Sequence, residues 1–233
     1  MSATLAVPRA RGRPLQAYYA GPESPGPRPG VVVIHEAYGL NENIREIADR
    51  FAAAGYAALA VDLFSTAAKL ICLARIFNGI LIRPLTNGVV RDLQAALDFL
   101  GVQPGVDSQR LGAIGFCMGG AYALQLACVD GDLKVASIFY GFNLRPMAAV
   151  ARACPLVGSY PEKDITAGAG RRLDAALETY GVPHDVKVYQ GARHSFFNDR
   201  GKAYDPDAAA DSWRRTLAFF EQHLLGSPSS GGA

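Results

Sequence analysis

Continuous apolar runs alternate with amphipathic stretches along the chain. Residues 31–34 (VVVI) are β-branched throughout, the pattern of a strand buried on both faces of a parallel sheet. Residues 41–54 follow with Ile44, Ile47, Ala48 and Phe51 at helical spacing and Gly55 as a stop. Residues 56–61 predict a second buried strand, ending at Asp62, and residues 89–100 a helix with Leu93, Ala96, Leu97 and Leu100 on one face. Strands are predicted at 110–116, 135–140, 155–159 and 185–189, with helices at 118–128, 168–180 and 207–225. Strands alternating with helices predict an α/β fold, its sheet mostly parallel and covered by helices on both faces. Residues 4–7 and 15–19 predict a hairpin at one sheet edge, and residues 21–30 a Pro/Gly-rich loop. The stretch 64–86 is unusually apolar and fits neither pattern. Its segment 70–81 reads as core, as a helix covering a pocket, or as a dimer face. The pattern is that of one domain, residues 1–225, with a disordered tail, 226–233 (GSPSSGGA).

Composition narrows the function classes. Of 233 residues, 50% are hydrophobic and 19% charged, enough apolar material to exclude a disordered or collagen-like chain. Lys and Arg number 23 against 21 Asp and Glu, so there is no basic footprint for nucleic acid. The most apolar run, 70–85, is interrupted by Arg75, Asn78, Arg83 and Pro84 and is too short to span a bilayer. No membrane partner is expected. Cys72, Cys117, Cys128 and Cys154 form no C-x-x-C pair, which argues against a zinc ribbon or a thioredoxin-type motif. Residues 1–10 lack the apolar centre of a signal peptide, so a reducing, cytoplasmic location is expected.

The sharpest chemical feature is Gly115-Phe116-Cys117-Met118-Gly119-Gly120, between an apolar strand and a helix of small residues. It is a G-x-S-x-G nucleophile elbow with cysteine in place of serine. Small residues let strand and helix approach closely, and the helix N-terminus favours a thiolate. A nucleophile needs a base, and the base an orienting carboxylate. Of the four histidines, His223 near the end of the last helix reads as solvated or capping, and His184 as exposed in a turn. His35 ends the first strand of the parallel run, and His194 lies in the loop after the last strand. The loop after the fifth strand offers Glu162 and Asp164, although Asp164 or Thr166 could instead cap the next helix. The order Cys117, Asp164, His194 is the nucleophile, acid, histidine order of α/β hydrolases. Glu36 sits at the same sheet edge, either paired with an arginine or facing the nucleophile. The backbone N–H groups of Ala37 and Met118 are the candidate oxyanion-hole donors.

These pieces together resemble the dienelactone hydrolase family. The resembling residues are His35-Glu36-Ala37-Tyr38-Gly39-Leu40-Asn41, Gly55-Tyr56, Val61-Asp62-Leu63, the elbow at 115–120, Gly158-Ser159-Tyr160 with Asp164, and Arg193-His194-Ser195-Phe196. The resemblance implies an α/β-hydrolase fold and a Cys117–Asp164–His194 triad that opens lactones or esters through a thiol acyl-enzyme. It implies that Glu36 partners the resting thiol and that neither a metal nor an organic cofactor is needed. The family holds its substrate carboxylate with arginines, one of them four residues after the triad histidine, where this chain has Asn198. Arg75 and Arg83 are candidate replacements, with Tyr38 and Asn198 as further substrate contacts. With the apolar 70–81 segment, this predicts a pocket less devoted to anions than the family pattern. The partner expected is a small ester or lactone, acted on by a monomer or weak homodimer. A short-chain carboxylesterase, a thioesterase, or a ligand-binding fold without catalysis are the alternatives.

Overall fold

The structure is a computed structural model that describes residues 1–9, 12–22 and 26–226. The tail expected to be disordered therefore lies outside the described residues from 227 onward, as do residues 23–25 of the Pro/Gly-rich loop. In chain order the elements are β1 (Ser2–Val7), β2 (Leu15–Ala20), β3 (Arg28–Ile34), α1 (Glu42–Ala53), β4 (Ala57–Asp62), α2 (Lys69–Leu81), α3 (Gly88–Gly101) and β5 (Val106–Phe116). They continue with α4 (Met118–Val129), β6 (Leu133–Phe139), a 3-10 turn (Met147–Arg152), β7 (Leu156–Lys163), α5 (Ala167–Tyr180), β8 (His184–Arg193) and α6 (Pro206–Leu224).

The strands form one eight-stranded sheet in the order β1-β2-β4-β3-β5-β6-β7-β8. β1 and β2 pair antiparallel at the edge, as the hairpin reading requires, and β2 pairs antiparallel with β4. From β4 to β8 every pairing is parallel. The continuous run in β3 has the expected cause. Val32 and Ile34 enter the core formed with α3, α4 and α5, while Val31 and Val33 enter the core formed with α1 and α6. All four are fully buried, and each such side chain contributes ~1.5–3 kcal/mol of apolar burial. α1 starts where the sequence places it because Asn41 is its cap, accepting the Ile44 N–H at 3.1 Å, worth ~1 kcal/mol.

The unplaced apolar segment contains α2, a helix apolar on two faces. Cys72, Ile76, Gly79 and Ile80 pack inward on α3 and α4, while Leu70, Ile71, Phe77 and Leu81 are exposed. The Tyr122 hydroxyl donates to the Ile76 carbonyl at 2.8 Å, so close that a side chain at Gly79 would strike it. Asn87, buried between α2 and α3, donates to Gln125 at 2.9 Å and to the Arg83 carbonyl at 3.0 Å. These bonds fix α2 against the body of the domain. Among the described residues no helix is long and apolar enough to cross a membrane.

Candidate active site

The parallel strands end on one edge of the sheet, and the candidate residues collect there. β5 runs into α4 through Cys117 alone, whose backbone has φ 54° and ψ −115°. A non-glycine residue held in that region costs ~1–3 kcal/mol and persists only where its surroundings impose it. They do so through close packing. A side chain at Gly115 would strike the Gly119 carbonyl, and one at Gly119 the Ile34 carbonyl at the end of β3. The Cys117 N–H donates to the Phe139 carbonyl at 3.0 Å, tying the elbow to the end of β6. Cys117 is half-buried at the N-terminus of α4, where the helix dipole favours negative charge. The other three cysteines are also unpaired. Burial pushes Cys128 up to about 12 and Cys154 higher still, leaving both protonated at neutral pH.

His194 follows β8 directly, and its Nδ1 lies 2.8 Å from Asp164 Oδ2. Burial alone would disfavour its charged form. Interactions with Cys117 and with Asp164 outweigh burial and raise its pKa to about 9. Asp164 follows β7. Burial pushes its pKa up, but the Thr166 hydroxyl, His194 and the Thr166 N–H, which donates at 3.2 Å, bring the net shift below the usual carboxylate value. Cys117, His194 and Asp164 thus form one line across the ends of β5, β8 and β7. Thr166 has no capping bond to α5; instead its hydroxyl orients Asp164. Glu162 turns elsewhere and accepts the Gly191 N–H at 2.9 Å.

Glu36 is 5% exposed, and its partner is not an arginine. Its Oε1 accepts the Tyr140 hydroxyl at 2.8 Å, and its Oε2 is buried without a partner among the described residues. The pairing of Glu36 with the resting thiol, implied by resemblance, is not what the structure holds, because Tyr140 takes the carboxylate and Cys117 interacts with His194. Tyr140 is a residue at this site that the sequence reading missed. The sequence pattern predicts a strand over 135–140, whereas the strand ends one residue earlier, at Phe139. Its backbone has φ 42°, its ring is fully buried, and its centroid lies 4.9 Å from that of His194. Burial first, then the charge and hydrogen bond of Glu36, hold its hydroxyl protonated. The signal for it was positional: it leaves a parallel strand at the same edge as Glu36.

His35 is structural. Its Nε2 accepts the Leu63 N–H at 3.0 Å, so the proton lies on Nδ1, which donates to the Glu36 carbonyl at 2.6 Å. Burial lowers its pKa and keeps it neutral. Ala37 follows Glu36 along this pinned backbone, and Met118 opens α4, so the Met118 N–H has no partner inside the helix. Two histidines depart from expectation. His184 is half-buried, Nδ1 at 2.7 Å from the Val182 carbonyl and Nε2 at 3.3 Å from Asp174. His223 packs on Phe219 with ring centroids 4.4 Å apart, and its Nε2 is buried without a partner among the described residues.

A pocket of about 710 Å³ opens at His194, lined by Tyr38, Asn41, Ser195, Asn198, Arg200 and Lys202 among others. Tyr38, 67% exposed, and Asn198 both line it. Arg75 and Arg83 do not. Arg75 points at α3 and pairs with Asp92 at 3.2 Å, and Arg83 is exposed beyond α2. The α2 segment does not line this pocket either. The pocket's cations are Arg200, already bound to Glu46, and Lys202, which has no ion pair among the described residues. The expectation of a pocket turned away from anions therefore loses its apolar premise.

A sequence profile described as the dienelactone hydrolase family matches residues 15–224. The chain belongs to this family of hydrolases. A Saccharolobus solfataricus protein with the provisional name carboxymethylenebutenolidase is 32% identical, covering 91% of this chain and 95% of its own length. Protein usf of Aquifex pyrophilus is 34% identical over the same shares of the two chains. Among solved structures, a dienelactone hydrolase-like promiscuous phosphotriesterase from metagenomic libraries superposes with a TM-score of 0.85 at 29% identity, covering 96% of this chain and 98% of that one. The mostly parallel sheet with its helical layers is the α/β-hydrolase fold of dienelactone hydrolases.

Proposed function

We propose that the protein hydrolyses esters or lactones with Cys117 as nucleophile. The observation that carries this is His194, which links the thiol of Cys117, a residue of strained backbone at the N-terminus of α4, to an ionised Asp164 and is raised to about 9 by both. The Cys117 thiolate attacks the substrate carbonyl and forms a C–S bond. The resulting oxyanion sits where the N–H groups of Ala37 and Met118 receive it. His194, charged at neutral pH, gives its Nε2 proton to the leaving alkoxide, and the C–O bond breaks to leave an acyl-enzyme. Water then attacks, His194 takes its proton, and the thiolate departs. Asp164 holds the imidazole by Nδ1, and Thr166 holds Asp164. Glu36 anchors the Tyr140 hydroxyl, and the Tyr140 ring packs on His194. The substrate enters over Tyr38 and Asn198. No step requires a metal.

The test is hydrolysis of a panel of aryl esters, lactones and thioesters by purified protein, with the acyl-enzyme trapped and weighed by mass spectrometry. The acyl group is expected on Cys117, and Cys117→Ala should lose nearly all activity while Cys72→Ala, Cys128→Ala and Cys154→Ala keep theirs. Retention of more than about a tenth of wild-type kcat/KM by Cys117→Ala, a loss below ~1.4 kcal/mol, would overturn the assignment.

A further inference from the structure

A second groove, of about 610 Å³, lies between the end of α2, the loop after β6 and the start of α5. It shares no lining residue with the His194 pocket. Its walls are Ile80, Leu81, Phe142, Leu144, Met147 and Ile165, and its volume is that of a small-molecule site. Leu81 and Ile165 are 69% and 81% exposed, so two large apolar side chains meet water at the groove, beside the half-buried Phe142 and Met147. Clustered apolar exposure of this kind marks binding surfaces rather than ordinary surface.

The polar groups of the groove have one sign. Arg145 and Arg172 both line it, both are exposed, and neither has an ion pair among the described residues. No acidic residue is among the lining. Asn143 completes the wall. Its Nδ2 donates to the Ala169 carbonyl at 3.0 Å, which fixes the amide orientation and leaves Oδ1 buried without a donor among the described residues. The apolar wall suits a chain, the guanidinium pair suits a carboxylate, and the free carbonyl of Asn143 suits an N–H.

We propose that this groove is a second ligand site, taking an amphipathic carboxylate of the N-acyl amino acid type. The acyl chain lies along Leu81, Phe142 and Ile165, and the carboxylate lies between Arg145 and Arg172. This binding does not rest on the hydrolytic reading, since the groove shares no lining residue with the pocket at His194. The test is calorimetric titration of the purified chain with N-octanoylglycine, beside its methyl ester. Saturable binding is expected, at least about tenfold tighter for the free acid than for the ester. The Arg145→Glu, Arg172→Glu double variant and, separately, Leu81→Glu should each weaken it by about tenfold or more. All three positions are on the surface, and circular dichroism checks that the variants keep the fold. N-octanoylglycine should not compete with phenyl acetate if the protein hydrolyses that ester. Absence of saturable heat, equal affinity for acid and ester, unchanged affinity in either variant, or competition with phenyl acetate would each overturn the proposal.

Discussion

Replacing Asp164 by Asn removes a charge while leaving an oxygen to accept the two Thr166 hydrogen bonds, so the change is read mainly at His194. Opposite charges 2.8 Å apart attract by ~6 kcal/mol at an effective dielectric near 20 and by ~1.5 kcal/mol in water. The His194 side chain is 34% exposed and that of Asp164 12%, so solvent screening pulls the value toward the lower figure. A loss of ~1.5–3 kcal/mol is roughly one to two pH units at 1.36 kcal/mol each. In the wild type His194 titrates at about 9. Above that the imidazolium that protonates the leaving group is gone, and kcat/KM should fall. In Asp164→Asn the same alkaline limb should appear roughly one to two units lower. Stability follows with a definite sign. A histidine raised from 6.5 to about 9 contributes stability that is fully present below pH 6.5 and is lost as pH rises through about 9. The deficit of Asp164→Asn in urea unfolding should therefore be larger near pH 6 than near pH 10, both roughly chosen to bracket the two titrations. The assay is phenyl acetate hydrolysis in a pH-stat, with the His194 Cε1–H followed by NMR. An alkaline limb below about pH 7.5 in the wild type, or one unmoved by Asp164→Asn, would refute the reasoning.

Three further perturbations have defined outcomes. Cys117→Gly should relieve the φ of 54° and raise unfolding free energy by ~1 kcal/mol while abolishing hydrolysis; it is measured above pH 9, where the His194 pair contributes little, and an unchanged or lower stability there argues against strain at the elbow. Lys202→Ala should lower kcat/KM for a carboxylate-bearing lactone a few-fold at low salt and leave its methyl ester unaffected, since an exposed charge acts through a screened field; equal effects on acid and ester would remove Lys202 from substrate recognition. Tyr140→Phe should cost ~1–3 kcal/mol of stability, the range for leaving a buried acceptor unpaired, and should lower kcat more than it changes KM, because the hydroxyl bond to Glu36 fixes the ring that packs on His194; a variant as stable and as active as wild type would reduce Tyr140 to packing.

How far the sequence reading reached follows from what each feature depends on. Strands β3, β4, β6 and β7 were legible because burial on both faces leaves no polar alternation, as Val31 to Ile34 show, whereas β8, at the sheet edge, was legible by its alternation. The elbow was legible because its constraint is local: Gly115 and Gly119 are needed by backbones within a few residues or in the adjacent strand. The proposed triad could be read from sequence because each candidate leaves a strand end, and parallel strands bring those ends to one edge. α2 was not legible, because its outward residues Leu70, Ile71, Phe77 and Leu81 are as apolar as its inward ones, and periodicity has nothing to separate. Arg75 was misplaced for a related reason: its partner Asp92 is on a different helix, and also holds Arg9, at 2.7 Å. No local pattern announces an ion pair across that separation. Tyr140 shows the same limit at the site itself. Its hydroxyl reaches Glu36 across 104 residues, and its φ of 42° is set by the strand ends around it rather than by its neighbours in sequence. Sequence therefore identifies residues that must be at the edge, whereas which of them touch depends on the register between strands. β6 lies beside β5 with Phe139 opposite Phe116, which puts Tyr140 next to Cys117, and the β3–β5 and β6–β7–β8 registers bring Glu36 and His194 within its reach.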